Sequence, residues 1–157
     1  MSSAIPRCAQ ETAVAQSIYL IETFWSRANH GFECGYQAGQ VIKGYSPDLI
    51  VHRIIKEDGK PEELHTELEG LLSRLHIIVV GPGLGREPYM QNAARDAINL
   101  AKKNNQYIVI DADGLFLVTQ EPEVIKGYRR AVLTPNVVEF GRLCEKMVSF
   151  CAGAGIH

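Results

Sequence analysis

The chain has 157 residues and a formal net charge of −2 at pH 7. A chain of this length fits a single domain and can bury roughly two thirds of the surface that its unfolded form exposes. The near-neutral charge and the scattered Lys and Arg residues exclude a basic nucleic-acid-binding surface. No apolar run reaches the roughly 18–20 residues that span a bilayer, so membrane insertion is not expected.

The cysteines and histidines give no sign of a metal site or a disulfide framework. The four cysteines have neither CxxC spacing nor the density of a disulfide scaffold, and the five histidines are dispersed. Reduced thiols in the cytosol or a similar compartment are therefore favoured. The N-terminal stretch is too acidic for a typical transit peptide and shows no targeting signal, so we expect a cytoplasmic or mitochondrial protein.

The first third of the chain is the least regular. Thr12 to Arg27 has helix-compatible apolar spacing, and the frequent glycines from Gly31 to Gly44 indicate loop or broken structure. A β-branched run from Asp48 to Ile55 predicts a strand. The leucine spacing over Pro61 to Leu72, with proline near its start, predicts a helix.

The rest of the chain alternates between short apolar runs and helical spacing. His76 to Val80 is an apolar run of the kind found in strands buried on both faces. The alternation that follows is typical of an α/β fold with a parallel sheet. The further predicted elements are a helix from Tyr89 to Lys103, a strand from Tyr107 to Ile110, a short helix from Glu121 to Lys126, a strand from Ala131 to Leu133 and a helix from Val137 to about Met147.

Three loops follow the carboxyl ends of these strands, where ligands bind in open α/β sheets. They are Gly81–Arg86 (GPGLGR), Asp111–Gly114 (DADG) and Thr134–Asn136 (TPN). Glycines in the first loop would let backbone approach a ligand, and the helix after it offers free N–H groups to an anion. Its spacing matches neither a P-loop nor G-x-G-x-x-G, so a simple tight turn is the alternative.

The second loop offers two carboxylates. Asp111 and Asp113 could hold a ribose hydroxyl, a magnesium ion or a water network. Alternatively, Asp111 caps a neighbouring turn through its carboxylate, and Asp113 with Gly114 forms an ordinary turn pair.

The third loop opens a helix in one of two ways. Thr134 can be the N-cap, with Pro135 at the first helical position. Alternatively, Asn136 is the N-cap and Glu139 closes a capping box.

The motifs occur in the order and approximate separations of one enzyme family, the NAD(P)H-hydrate dehydratases, which they resemble. An upstream stretch, Val41 to His52, resembles the ATP-using eukaryotic branch. The resemblance covers residues 31–143 as the central part of the family domain, flanked by divergent segments at 1–30 and 144–157. The segments that carry it are Val79–Arg86, Val109–Leu115 and Leu133–Asn136, with Glu139-Phe140 and Arg142-Leu143.

The resemblance implies a ribokinase-like fold, here an incomplete three-layer αβα sandwich with a mostly parallel sheet. It also implies ATP-dependent dehydration of the S-epimer of hydrated NADH or NADPH, with ATP and Mg²⁺ phosphorylating the ring hydroxyl before phosphate leaves. Asp111 and Asp113 are secondary candidates at this site. The substrate contacts implied by the resemblance are Gly83, Asn136, Val137, Val138, Glu139, Phe140, Gly141 and Arg142.

The family continues with further strands, ATP-contacting loops and a Gly-x-Gly-Asp turn that carries the catalytic aspartate. In this chain Ala152 to Gly155 has no following aspartate. We therefore expect weak folding and little or no dehydration by this chain alone, and an open sheet edge available for a homo-oligomer or another association. Two alternatives stand beside the dehydratase: a ribokinase-like kinase of a small alcohol, and a non-catalytic binding fragment.

Overall fold

The computed structural model describes residues 17–21, 29–34, 49–56 and 58–153. Their strands form one sheet in the order β3-β2-β1-β4-β5-β6. Strand β1 is antiparallel to β2 and β4, whereas the pairs β2–β3, β4–β5 and β5–β6 are parallel. The strands are β1 (Ser17–Ile21), β2 (Asn29–Cys34), β3 (Leu49–Ile55), β4 (Ile77–Val80), β5 (Tyr107–Ile110) and β6 (Ala131–Leu133).

Four α-helices lie in the described residues: α1 (Pro61–Leu72), α2 (Pro88–Lys103), α3 (Asp113–Gln120) and α4 (Val137–Gly153). Helices α1 and α2 both begin with proline, which needs no N–H partner there, and α2 ends with two lysines that favour its negative end. None of the described helices has the length and apolar content to cross a membrane.

The core lies around α2, whose inner face is rich in alanine and therefore allows close packing. Buried residues of this helix join Ile78 and Val80 of β4, and Ile108 and Ile110 of β5, in one apolar cluster. The side chains at the alternate positions of β4 and β5 are less buried. Val132 of β6 is 57% exposed. One face of the sheet is therefore more deeply buried than the other, as in an incomplete αβα sandwich.

Polar contacts tie the elements around this core. The buried amide of Gln106 donates to the carbonyls of Leu72 and Leu75 at 2.7 and 2.5 Å, joining the end of α1 to the start of β5. Arg95 of α2 makes a two-pronged contact with Glu121 at 2.8 and 2.6 Å. The hydrogen bond from Arg95 lowers the pKa of the Glu121 carboxyl.

Most predicted elements are confirmed. The helix over Pro61–Leu72 and the strands over Tyr107–Ile110 and Ala131–Leu133 have the expected bounds. The expected strand at 48–55, strand at 76–80 and helix at 89–103 differ from the structure by one residue at their starts. The last helix begins at Val137 as expected and runs on to Gly153.

The N-terminal region differs from its expectation. The helix suggested by the apolar spacing over Thr12 to Arg27 is wrong for Ser17–Ile21, which form β1. The loop expected from Gly31 to Gly44 is wrong for residues 31–34, which belong to β2. Strand β1 pairs on both sides, so partners far away in sequence satisfy its peptide groups and override the local periodicity. The other residues of these two segments lie outside the described ranges.

The expected helix at Glu121 to Lys126 is also wrong. That segment holds only a 3₁₀ turn at Pro122–Val124, and the helix lies earlier, as α3. The Asp113-Gly114 pair suggests a turn, but Leu115, Leu117 and Val118 bury their side chains in the core. Pro122 lacks an N–H and ends the helical stretch.

Leu68→Ala should destabilise the protein by about 2–5 kcal/mol, because this side chain of α1 is fully buried and its loss leaves a cavity. Leu71→Ala on the same helix is the matched control. Leu71 is only half-buried, so its loss should be roughly half as large. Urea denaturation measures both free energies of unfolding, and equal losses would contradict the burial of this helix face.

Candidate active site

The ends of β4 and β5 meet through two glycines. A Cβ on Gly81 would lie 1.8 Å from the carbonyl oxygen of Asp111, and one on Gly114 would lie 2.5 Å from the carbonyl oxygen of Val80. Gly81 also has a φ of 123°, which side-chain-bearing residues rarely adopt. The first and second loops can therefore approach each other only because both positions are glycine.

Asp113 connects the same two loops through its side chain. One carboxylate oxygen accepts a hydrogen bond from the Gly85 N–H at 3.1 Å, and the other contacts Arg86 Nε at 3.4 Å. The Gly85 carbonyl in turn accepts from the side-chain amide of Gln91 at 2.6 Å. The glycine loop is thus held on one side by α3 and on the other by α2.

The turn before α3 has an unusual backbone. Ala112 has a φ of 46° and a ψ of −119°, a conformation that costs energy for any residue with a side chain. The turn is closed by the Asp111 carbonyl, which accepts from the Gly114 N–H at 2.9 Å. The Asp111 carboxylate makes no hydrogen bond with a described residue, so the turn is closed by backbone rather than by the side-chain cap considered above.

The third loop is tied to the end of β5 and begins α4. Thr134 donates from its backbone N–H to the Ile110 carbonyl at 3.1 Å. Asn136 Oδ1 accepts from the N–H groups of Val138 and Glu139, both at 3.0 Å, and Glu139 Oε2 accepts from the Asn136 N–H at 2.9 Å. Of the two caps considered, the capping box formed by Asn136 and Glu139 is the one present.

A cavity of about 570 Å³ opens between the first loop, α3 and α4. Three of the predicted site residues, Asp113, Glu139 and Arg142, line it together. Charged side chains of both signs therefore converge on a space large enough for part of a nucleotide-sized ligand. The lining is completed by Arg86, Ala112, Leu115, Phe116, Thr119, Gln120, Glu145 and Lys146.

The other predicted site residues lie outside the lining of this cavity. Gly83, with a φ of 64°, sits in the first loop, and Asp111 is half-buried at the end of β5. Val137, Val138 and Phe140 are 89%, 61% and 59% exposed on α4. Gly141 has open space where a Cβ would stand.

The sequence pattern did not indicate Phe116 or Lys146 as site residues, and it indicated Arg86 only as the last residue of the first loop. Arg86 lies over the Phe116 ring, with 4.7 Å from Cζ to the ring centroid. Phe116 belongs to α3, a helix that was not expected, and Lys146 stands four residues after Arg142, on the same face of α4. Helical spacing from Arg142 was the available signal for Lys146.

The chain matches the family model described as NAD(P)H-hydrate dehydratase over residues 32–153. It is 49% identical over 118 residues to the ATP-dependent (S)-NAD(P)H-hydrate dehydratase of Mycosarcoma maydis, covering 75% of this chain and 34% of that protein. A protein of the same name from Schizosaccharomyces pombe is 48% identical over 130 residues, covering 79% of this chain and 39% of its own.

Among solved structures, a ribokinase-like superfamily protein from Enterococcus faecalis aligns with a TM-score of 0.59 and 21% identity, over 73% of this chain and 37% of its own. At this identity the likeness shows the fold, which is ribokinase-like. The chain spans between a third and two fifths of the length of the two curated relatives.

Gly114→Ala should destabilise the protein by about 1–3 kcal/mol, since the added methyl group would force the Val80 carbonyl away. Gly70→Ala is the matched control, because nothing lies within 4 Å of its Cβ position on α1. Removing a glycine from that helix should stabilise the protein by roughly 0.5–1 kcal/mol. Thermal and urea unfolding of both variants would measure the two effects, and a harmless Gly114→Ala would refute the close contact.

Proposed function

The chain belongs to the NAD(P)H-hydrate dehydratase family, and we propose that residues 31–143 form the substrate-binding part of an ATP-dependent (S)-NAD(P)H-hydrate dehydratase. The substrate is the S-epimer of hydrated NADH or NADPH, and the reaction removes the ring hydroxyl so that the dihydronicotinamide re-forms. The observation that carries the proposal is the convergence of Asp113, Glu139 and Arg142 on one cavity between the glycine loop and α4.

Four of the proposed contacts, Gly83, Asn136, Glu139 and Arg142, have a physical reason. Gly83 offers backbone without a Cβ, so the first loop can lie against the dinucleotide. The capping box between Asn136 and Glu139 fixes the first turn of α4. This turn sets the direction of the helix and therefore the position of Arg142, whose cationic group is available at the cavity.

ATP is the phosphoryl donor in this proposal, because the relatives are named ATP-dependent enzymes. By the resemblance Mg²⁺ would accompany ATP, and the described residues contain no group of three or more His, Cys, Asp or Glu side chains that could hold a metal ion. We assign no step through Mg²⁺. Since the match covers 34% and 39% of the two relatives, we propose that phosphoryl transfer needs the parts of the family domain outside it.

Hydrated NADPH should raise the Tm of the purified chain. At a ligand concentration of 100 times Kd the stabilisation is about 2.7 kcal/mol, which corresponds to several degrees. Arg142→Ala should remove most of this rise, whereas Arg74→Ala, at an exposed turn position away from the cavity, should keep it. Calorimetry with and without ligand makes the measurement.

The same samples, given ATP, should show no recovery of dihydronicotinamide absorbance. Recovery by the chain alone would contradict the proposed need for the rest of the family domain. An unchanged Tm with hydrated NADPH, or an equal rise for both variants, would contradict the substrate site itself.

A second candidate function, self-association, is favoured by the exposed apolar surface next to β6. This strand is the last in the described sheet, and Val132 on it and Phe140 on α4 are 57% and 59% exposed. Unpaired strand edges with apolar neighbours readily take up another strand. We propose that a second copy of the chain pairs along this edge.

Sedimentation velocity over a range of micromolar concentrations should therefore show a monomer–dimer equilibrium. Val132→Lys should shift it to monomer, because a charge at an edge strand opposes pairing. Thr66→Lys, at an exposed position of α1, is the control that should leave the equilibrium unchanged. A wild-type chain that stays monomeric at every concentration would contradict pairing along β6.

A further inference from the structure

Cationic side chains enter the cavity described above from two separate elements. Arg86 comes from the loop after β4, and Arg142 and Lys146 come from α4, where their spacing of four residues places them on one helix face. Lys146 and Arg86 are outside the set of substrate contacts proposed above. They add positive charge at the two walls of the same space.

Arg86 is oriented before any ligand arrives. Its Nε lies 3.4 Å from an oxygen of Asp113, and its guanidinium carbon lies 4.7 Å from the centre of the Phe116 ring. The side chain nevertheless stays 62% exposed, so its two terminal nitrogens remain accessible. A planar guanidinium fixed at one end loses little freedom when it binds two oxygens of a phosphate group.

Of the three carboxylates that line the cavity, Asp113, Glu139 and Glu145, the first two are partly committed to backbone donors. Asp113 accepts from the Gly85 N–H at 3.1 Å, and Glu139 accepts from the Asn136 N–H at 2.9 Å. Backbone donors therefore satisfy part of their negative charge. The cations keep more of their binding capacity than a simple count of opposite charges suggests.

We propose that Arg86, assisted by Lys146, binds phosphate oxygens of the hydrated dinucleotide in this cavity, an inference that rests on the proposed function. The ligand feature recognised is a phosphate or pyrophosphate group. Asp113 and Phe116 position Arg86 for this contact. The pyrophosphate is common to NADH and NADPH, whereas the additional phosphate on the ribose belongs to NADPH alone.

Titration calorimetry at constant ionic strength tests the inference with hydrated NADPH, hydrated NADH and inorganic pyrophosphate. Arg86→Ala should weaken binding of hydrated NADPH roughly tenfold to a hundredfold, the range for a charge-assisted hydrogen bond. Arg86→Lys should lose less, because it keeps the charge without the two-pronged geometry. Lys146→Ala should lose a smaller factor, and Arg129→Ala, an exposed arginine outside the cavity, should lose none.

The ligands separate the two sources of phosphate. Weaker binding of both dinucleotides and of pyrophosphate assigns Arg86 to the pyrophosphate, and a loss confined to NADPH assigns it to the additional ribose phosphate. Unchanged affinity for all three ligands in a folded Arg86→Ala variant would overturn the inference. If Arg86→Ala fails to melt cooperatively, Arg86→Lys decides, and equal binding by that variant and the wild type would likewise overturn it.

The proposed function can fail separately. If the wild-type chain binds pyrophosphate in an Arg86-dependent way but does not bind hydrated NADPH, the phosphate site is supported and the proposed dehydratase substrate site is contradicted. If hydrated NADPH binds with full affinity in the absence of the Arg86 side chain, the substrate site is supported and the phosphate contact of Arg86 is contradicted.

Discussion

The backbones at the ends of β4 and β5 come so close together that neither Gly81 nor Gly114 has room for a Cβ. This contact sets the distance between the glycine loop and the start of α3. Only at this distance can the Asp113 carboxylate reach both the Gly85 N–H and Arg86. The position of Arg86 at the cavity follows from that one approach of two backbones.

The two walls of the cavity, the glycine loop and helix α4, are held in place by different kinds of contact. The glycine loop rests on α2, whose alanine-rich face is buried. Gln91 of this helix is itself only 8% exposed, and its side-chain amide donates to the Gly85 carbonyl. In helix α4, by contrast, Leu143 is the one buried residue between positions 137 and 148, and it joins the core cluster. Its first turn is fixed mainly by its own capping box. One wall of the cavity is thus part of the core, and the other depends on local hydrogen bonds.

This division fits a chain that covers about a third of the length of its relative from Mycosarcoma maydis. The proposed substrate contacts lie in the loop after β4 and at the start of α4 after β6, and both strands belong to the described sheet. A substrate-binding wall can therefore be assembled from these strands alone.

The sequence by itself determined most of the regular elements from Asp48 onward and offered the capping box at Asn136 as one of two caps, because burial periodicity and helix capping are local and repeat within a few residues. It also identified Asp113 and Arg142 as candidates. It did not determine strand β1, helix α3 or the partners of Arg86. Strand β1 exists through pairing with β2 and β4, and the Gly85–Asp113 bond joins residues 28 positions apart. Such contacts depend on how loops distant in sequence meet, and only the tertiary structure decides that.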